Sequence, residues 1–189
     1  MPPKCKFTKD EVVQAALDMT RESGINSITA RALGERLGSS SRPIFSLFQG
    51  MQEVQQEVIQ AADALYQDYL KRDMAAGEYP TYKASGMAYI RFAKEEKELF
   101  KLLFMRDRSA EQIGDSKNEL KPLIEIIMAN TGLSEQDAFM FHLEMWMYVH
   151  GIATMIATSY LEWEWSTVSQ MLTDGFEGLK ARFLGKESK

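Results

Sequence analysis

A chain of 189 residues can bury a substantial core, and 45% hydrophobic with 26% charged residues is typical of a folded globular protein. One cysteine excludes an intrachain disulfide or a cysteine-based metal cluster, and only five prolines favour helix. The net charge of −5 is uneven: residues 1–50 carry +2, so residues 51–189 carry −7. The N-terminal lysines precede no apolar stretch, so we expect no secretory signal and a cytoplasmic, all-α protein.

Two helices are predicted before residue 38. The first follows the cap Thr8, stops at Gly24, and turns one stripe inward: Val13, Ala16, Leu17 and Thr20. The second follows the cap Thr29, stops at Gly38, and turns another set inward: Ala30, Leu33 and Leu37.

The segment GSSSRPIFSLFQGM, residues 38–51, predicts a tight turn followed by a short helix over about 41–47. Ser40 or Ser41 can cap this helix, and Pro43 is tolerated in its first turn. Two short helices joined in this way, with a longer one before them, form a helix-turn-helix, whose second helix enters the major groove of DNA. From spacing alone, a serine-rich helix start in an ordinary bundle is the alternative. Ile44, Leu47 and Phe48 are expected to pack inward.

Six further helices follow, giving about nine in total. A long connecting helix runs from Met51 to near Gly77 and Pro80. The others are predicted at 81–95, 96–105, 118–130, from the Ser134 cap to about Tyr160, and at 166–183, with a polar loop over 106–117. The uncharged run 145–161 is shorter than the ~20 residues that span a bilayer, so no membrane contact is predicted.

Residues 7–58 resemble the DNA-binding domain of the TetR (tetracycline-repressor) family of transcriptional regulators. The resemblance is carried by VVQAALDMTRESG, TARALGERLG, SSRPIFSLF and MQEVQQEVIQAADAL. It implies a helix-turn-helix domain over residues 1–50 and a helical ligand-binding and dimerisation domain over residues 51–189. Two positions depart from the family pattern: Met51 replaces a frequent phosphate-binding Lys, and Phe45 replaces a Tyr that touches the DNA backbone. Lys4, Lys6 and Lys9, with the helix N-terminus, are expected to compensate.

The predicted contacts to an operator in double-stranded DNA come from the helix-turn-helix and the residues before it. These residues are Lys6, Thr8, Thr29, Arg31, Ser40, Ser41, Arg42, Pro43, Phe45, Ser46 and Gln49. Arg42 can fork onto guanine O6 and N7 or onto a phosphate.

KELFKLLF at 97–104 and WMYVHG at 146–151 resemble segments of TetR-like ligand-binding domains with a Trp…His-Gly signature. The resemblance implies an inducer site for a small, mainly apolar effector; a simple core is the alternative for each residue. The predicted lining is Phe100, Phe104, Met105, Met128, Phe141, Met145, Trp146 and His150. His142 and His150 lie roughly 12 Å apart by helix rise, so they cannot hold one metal ion together. No cofactor or metal is predicted.

In such proteins the last two helices form a four-helix bundle with those of a second subunit. Residues 138–160 are apolar on nearly all sides, which favours a homodimer, as two operator half-sites also require. The predicted interface is Ala153, Thr154, Ala157, Val168, Leu172, Phe176 and Leu179.

An enzyme is not predicted, because the chain has two histidines without metal spacing and no phosphate loop or nucleophile motif. The predicted function is a dimeric regulator, a repressor, that the effector releases from a palindromic operator. A helical homodimeric interaction protein that kept the fold but lost specific DNA or ligand binding is the alternative.

Overall fold

The computed structural model describes residues 7–107 and 116–186, and the regular structure in these ranges is entirely helical. The prediction of an all-α fold is confirmed. The helices are α1 Lys9–Ser23, α2 Ala30–Arg36, α3 Arg42–Phe45, α4 Met51–Ala75, α5 Thr81–Glu95, α6 Lys97–Phe104, α7 Ser116–Thr131, α8 Glu135–Ala157 and α9 Trp165–Lys186. A short 3-10 helix, Ile25–Ser27, follows α1. Most of the polar loop predicted at 106–117 lies outside the described residues.

The chain forms two compact units. The first comprises Met1–Gln67 and Glu96–Arg106, and the second comprises Asp68–Glu95 and Asp107–Lys189. Helix α4 therefore begins in the first unit and ends in the second. The division of function at residue 50 stays a prediction, since compactness does not report function.

Helix α1 begins at a capping box, as the sequence predicts. The Thr8 hydroxyl accepts a hydrogen bond from the Glu11 N–H, and the Glu11 carboxylate accepts one from the Thr8 N–H. The inward stripe starts one residue earlier than predicted, because Val12 is buried and Val13 is only half-buried. Thr29 caps α2 in the same way, by accepting from the Ala32 N–H.

Helix α3 is shorter than the predicted 41–47 and covers a single turn. Ser41 stands at its N-cap, but the serine side chain makes no capping hydrogen bond, because its backbone is already in the helical region. Pro43 lies in the first turn, where its missing N–H costs nothing. The turn continues beyond α3, because the Ile44 carbonyl accepts hydrogen bonds from the N–H groups of Leu47 and Phe48.

The turn between α2 and α3 requires glycine at two positions. Gly38 has φ +63°, in the left-handed region that favours glycine. Gly34 is buried, and a Cβ there would lie 2.9 Å from the carbonyl carbon of Ser40. The close approach of α2 to the start of α3 therefore depends on the missing side chain.

The core of the first unit is apolar, and α6 contributes to it. Its largest fully buried side chains are Val12, Leu33, Ile44, Val54, Val58, Leu99 and Phe100. The Arg21 guanidinium binds the carboxylate of Glu96 at 2.9 Å, which joins α1 to the start of α6. Tyr66 and Phe104 meet edge to face with centroids 5.2 Å apart.

In the second unit, α5 and α8 run parallel and bury their facing sides. Tyr82 pairs with His142 and Tyr89 pairs with His150, so both helices advance together by about two turns between the pairs. Around them lies an apolar core that includes Met87, Ile90, Phe92, Ile127, Phe141, Val168 and Leu172. No helix among the described residues is long and apolar enough to cross a membrane.

Candidate functional site

The turn formed by α3 divides its side chains into an inner and an outer set. Ile44 is 1% exposed and Phe48 is 3% exposed, so both belong to the core. Phe45, by contrast, is 51% exposed although it is a large apolar residue. Arg42 lies three residues before Phe45 and four before Ser46, and both Arg42 and Ser46 are exposed as well. The structure thus presents Arg42, Phe45 and Ser46 on the outer side of α3, as predicted.

Several predicted hydroxyl contacts already have intramolecular partners. Thr8 and Thr29 cap α1 and α2. The Ser46 hydroxyl donates to the Pro43 carbonyl at 2.6 Å. Ser40 and Gln49 are exposed, whereas Ser41 and Pro43 are half-buried. Lys6 lies outside the described residues.

Three cations at the surface of the first unit are bound to carboxylates. Lys9 contacts Glu53 at 2.9 Å, Arg31 contacts Glu35 at 2.9 Å, and Arg36 contacts Glu22 at 2.6 Å. Arg21, the fourth, is bound to Asp18 and Glu96.

Arg42 differs from these cations. Of the Lys and Arg residues in 7–50, it alone forms no ion pair with the described part of the chain. When an anion binds, the Arg42 guanidinium therefore does not have to break an ion pair with any described residue.

The predicted effector residues are divided between the two compact units. Phe100, Phe104 and Met105 belong to the first unit, where Phe100 is buried and Met105 is 42% exposed. Phe100 and Phe104 contact each other with centroids 5.2 Å apart. The other five, Met128, Phe141, Met145, Trp146 and His150, belong to the second unit.

Within the second unit, two of these residues form one contact. Trp146 stacks on His150 with centroids 5.2 Å apart and an interplanar angle of 18°. Phe141 instead packs edge to face on Phe176, with centroids 5.1 Å apart, and is fully buried. Met145 is buried too, and Met128 is half-buried.

Two tyrosines on α5 form hydrogen bonds with the two histidines of α8, and the sequence predicted no role for them. The Tyr82 hydroxyl lies 3.0 Å from His142 Nδ1, and the Tyr89 hydroxyl lies 2.8 Å from His150 Nδ1. The spacings of seven and eight residues, each about two helical turns, were the available signal. Nothing in the sequence alone brings α5 and α8 together.

Burial governs the titration of these groups. It lowers the pKa of His142 and of His150, because the charged imidazolium is poorly solvated there. It also raises the pKa of the Tyr82 hydroxyl. Both imidazoles are therefore neutral near pH 7.

Most of the predicted dimer residues face the interior of their own unit. Ala153, Ala157, Val168 and Leu172 are at most 2% exposed. Phe176 and Leu179 are half-buried, and Phe176 contacts Phe141 and Tyr82. Thr154 is half-buried with a buried hydroxyl. The small residues therefore lie between helices of one chain. The periodicity that marks a buried stripe does not indicate which chain covers it, so the sequence could not distinguish the two cases.

The opposite side of α8 carries an exposed apolar stripe. Met140, Met147, Tyr148 and Met155 follow the spacing i, i+7, i+8 and i+15, and each is at least 39% exposed. Gly151 lies among them, with open space where a side chain would be. Helix α9 borders the stripe, since Gly175 approaches the Tyr148 ring and Arg182 binds Glu144.

The amino-acid sequence from α5 into α9 matches a known family. Residues 82–175, about half of the chain, match the family model for a tetracyclin repressor-like C-terminal domain. The chain belongs to the TetR family. No curated protein matches the sequence.

The match to the TetR family covers the region that the geometry singles out. Both Tyr–His pairs, the Trp146 stack and the whole α8 stripe lie inside residues 82–175. The resemblance predicted from WMYVHG is thereby confirmed for a TetR-like C-terminal domain. The helix-turn-helix precedes the matched residues, so its DNA contacts stay predictions.

Proposed function

We propose that this TetR-family chain is a homodimeric, DNA-binding transcriptional repressor that a small-molecule effector releases from its operator. The observation that carries the proposal is the outer side of α3, where Arg42 and a 51% exposed Phe45 stand over a buried Ile44. This outer side combines an exposed apolar ring with a cation that forms no ion pair with the described residues. It suits a groove that offers guanine acceptors and thymine methyl groups.

DNA recognition then rests mainly on α3. Arg42 donates two hydrogen bonds to guanine O6 and N7, and Phe45 packs against a thymine methyl or a sugar. Arg31 on α2 is exposed and can exchange Glu35 for a phosphate. The N-terminal functional domain comprises residues 1–50 and the effector and dimer domain residues 51–189.

Arg42→Ala tests the DNA proposal. Fluorescence anisotropy with DNA from upstream of the chain's own gene should show specific affinity reduced by about 10-fold to 100-fold, with much less change on unrelated DNA. Lys121→Ala, an exposed cation on α7, removes the same charge and should change neither. Equal losses on both DNAs would reduce Arg42 to a phosphate contact, and absent binding by the unmodified protein would contradict the function.

Dimerisation is proposed to use the α8 stripe rather than the buried small residues. Met140, Met147, Tyr148 and Met155 would meet their equivalents around Gly151, where the absent side chain permits close helix approach. Burying four large apolar side chains from each subunit removes the exposed patch. A dimer also supplies the two α3 helices that two operator half-sites require.

The effector is proposed to be a small, mainly apolar molecule that binds the C-terminal domain. The stacked rings of Trp146 and His150, with the buried Met145 and the half-buried Met128 of the same unit, support this class, because methionine adapts to varied apolar shapes. The effector would favour a dimer whose α3 helices no longer match the half-sites. Thermal-shift screening of apolar and aromatic compounds, followed by operator binding, tests this. The effector proposal fails if no compound changes both melting temperature and operator affinity.

A further inference from the structure

We propose that Glu53 is an internal competitor for DNA phosphate, which holds Lys9 away from the backbone and leaves DNA recognition to Arg42. This proposal rests on the proposed DNA-binding function and specifies its electrostatics. It concerns the sequence-independent part of DNA affinity.

Glu53 is held in place by two donors. Its Oε1 lies 2.9 Å from Lys9 Nζ, and its Oε2 accepts a hydrogen bond from the Gln49 N–H at 2.6 Å. Gln49 follows directly after Phe48 at the end of the α3 segment, so the carboxylate lies next to the predicted recognition element. A carboxylate with two donors in this arrangement occupies the same kind of contacts that a DNA phosphate would use.

Lys9 interacts with two carboxylates of α4 and with the Phe48 ring that precedes this helix. Its ammonium lies 5.0 Å from the centroid of the Phe48 ring, in addition to the Glu53 contact. Glu57, one turn further along α4, adds a second attraction, and both carboxylates raise the pKa of Lys9. The Gln49 N–H and Lys9 lower the pKa of Glu53, so the pair stays ionised at neutral pH.

The Glu53 pair is harder to exchange than the Arg31–Glu35 pair. The side chains of Arg31 and Glu35 are 90% and 65% exposed, so water and salt screen their attraction strongly. The side chains of Lys9 and Glu53 are 49% and 29% exposed, and Glu53 has the additional backbone donor. A phosphate that approached Lys9 would also meet the Glu53 charge, and this repulsion disfavours every DNA sequence alike.

The consequence is low affinity for DNA of unrelated sequence. Non-specific binding comes almost wholly from cations that displace counterions from phosphates. Arg42 reads bases, and its contribution depends on sequence. A Lys9 that is held by Glu53 therefore lowers the sequence-independent part of DNA affinity, while the base contacts of Arg42 stay unchanged.

Glu53→Gln is the informative variant, because its amide oxygen still accepts from the Gln49 N–H while the charge is gone. We expect the association constant of the dimer for an unrelated DNA duplex at 0.1 M salt to rise about threefold to tenfold. The plot of log K against log salt should become steeper by about 2, since two Lys9 ammoniums per dimer are freed. Glu125→Gln, an exposed carboxylate on α7, makes the same net charge change and should alter neither quantity.

A double-mutant cycle with Lys9→Gln decides whether the effect passes through Lys9. Lys9→Gln should cost little affinity beside Glu53 but should cancel the gain in the Glu53→Gln background. Equal affinities for Glu53→Gln and Glu125→Gln, or strict additivity with Lys9→Gln, would overturn the proposal. Specific operator binding by the unmodified protein, measured in parallel, distinguishes this failure from failure of the proposed function. Matching melting temperatures exclude a folding defect.

Discussion

The Trp146 ring lies against the His150 ring one turn later on α8, with centroids 5.2 Å apart and planes only 18° from parallel. On the other side of this stack, His150 Nδ1 is bound to the Tyr89 hydroxyl at 2.8 Å. A 44% exposed indole is thereby connected through one imidazole to a buried tyrosine of α5. This short path runs from the surface of the C-terminal domain to its core.

Removing the hydroxyl of Tyr82 should destabilise the C-terminal domain more than removing the hydroxyl of Tyr89. Tyr82→Phe leaves the buried His142 without its hydroxyl partner and should lower the free energy of unfolding by about 1–3 kcal/mol. Tyr89→Phe should cost less, about 1 kcal/mol, because His150 is only half-buried. Urea unfolding measures both, and Tyr160→Phe, at a 74% exposed position, should have no effect. Larger loss in Tyr89→Phe than in Tyr82→Phe would contradict this ranking.

Stability should fall on acidification below about pH 6.5, the ordinary pKa of histidine. The pKa of His142 is lower in the folded chain than in the unfolded one, so the unfolded state binds its proton first. The stabilisation is complete above the unfolded pKa and is lost as the pH falls towards the folded pKa. Melting temperature followed from pH 8 to pH 5 at constant protein concentration should show this decline.

His142→Asn isolates that contribution, because the asparagine side chain can still hydrogen-bond the Tyr82 hydroxyl but does not titrate. The decline between about pH 6.5 and pH 5 should be shallower in the variant. An unchanged slope would assign the acid sensitivity to other groups.

Met147→Glu should weaken the dimer. Met147 is 59% exposed at the centre of the α8 stripe, and a glutamate there would bury an unpaired charge in the proposed interface. We expect the dimer dissociation constant to rise at least about tenfold, measured by sedimentation equilibrium. Ala129→Glu on the exposed surface of α7 introduces the same charge and should leave the association unchanged. Equal dissociation constants for the two variants would remove the stripe from the interface.

Gly34→Ala should disturb the helix-turn-helix although it adds only one methyl group. The new Cβ would lie 2.9 Å from the backbone of Ser40, so α2 and the start of α3 must separate. We expect a loss of about 1–3 kcal/mol in unfolding free energy and weaker operator binding. Gly50→Ala, where a Cβ meets open space, is the matched control. Equal stability of the two variants would show that the turn relaxes freely.

Local signals made much of the helical layout predictable. Thr8, Thr29 and Ser134 each stand at the start of a helix and accept the capping hydrogen bond. Each of these hydrogen bonds joins residues that are three apart in the chain, so both partners can be recognised in the sequence. The predicted length of α3 was wrong because the helix ends at Phe45 and residues 46–47 form a turn, in which the Ile44 carbonyl accepts from the N–H groups of Leu47 and Phe48.

What the sequence could not supply was the neighbour of each apolar face. Ala153 and Val168 were expected between subunits and are buried within one, since a stripe of small residues suits either kind of helix contact. Lys9 was expected to be available for DNA, yet Glu53, forty-four residues later, holds it. Such pairings arise from tertiary packing and leave no local pattern.

The two Tyr–His hydrogen bonds together fix the register of α8 along α5. If α8 slid along α5 by a single residue, both hydrogen bonds would break together, because their spacings match at the present register. A slide by one full turn would set Tyr89 opposite Thr154, whose buried hydroxyl has no hydrogen-bond partner among the described residues, or opposite Trp146. The two hydrogen bonds therefore oppose a gradual slide of α8 along α5.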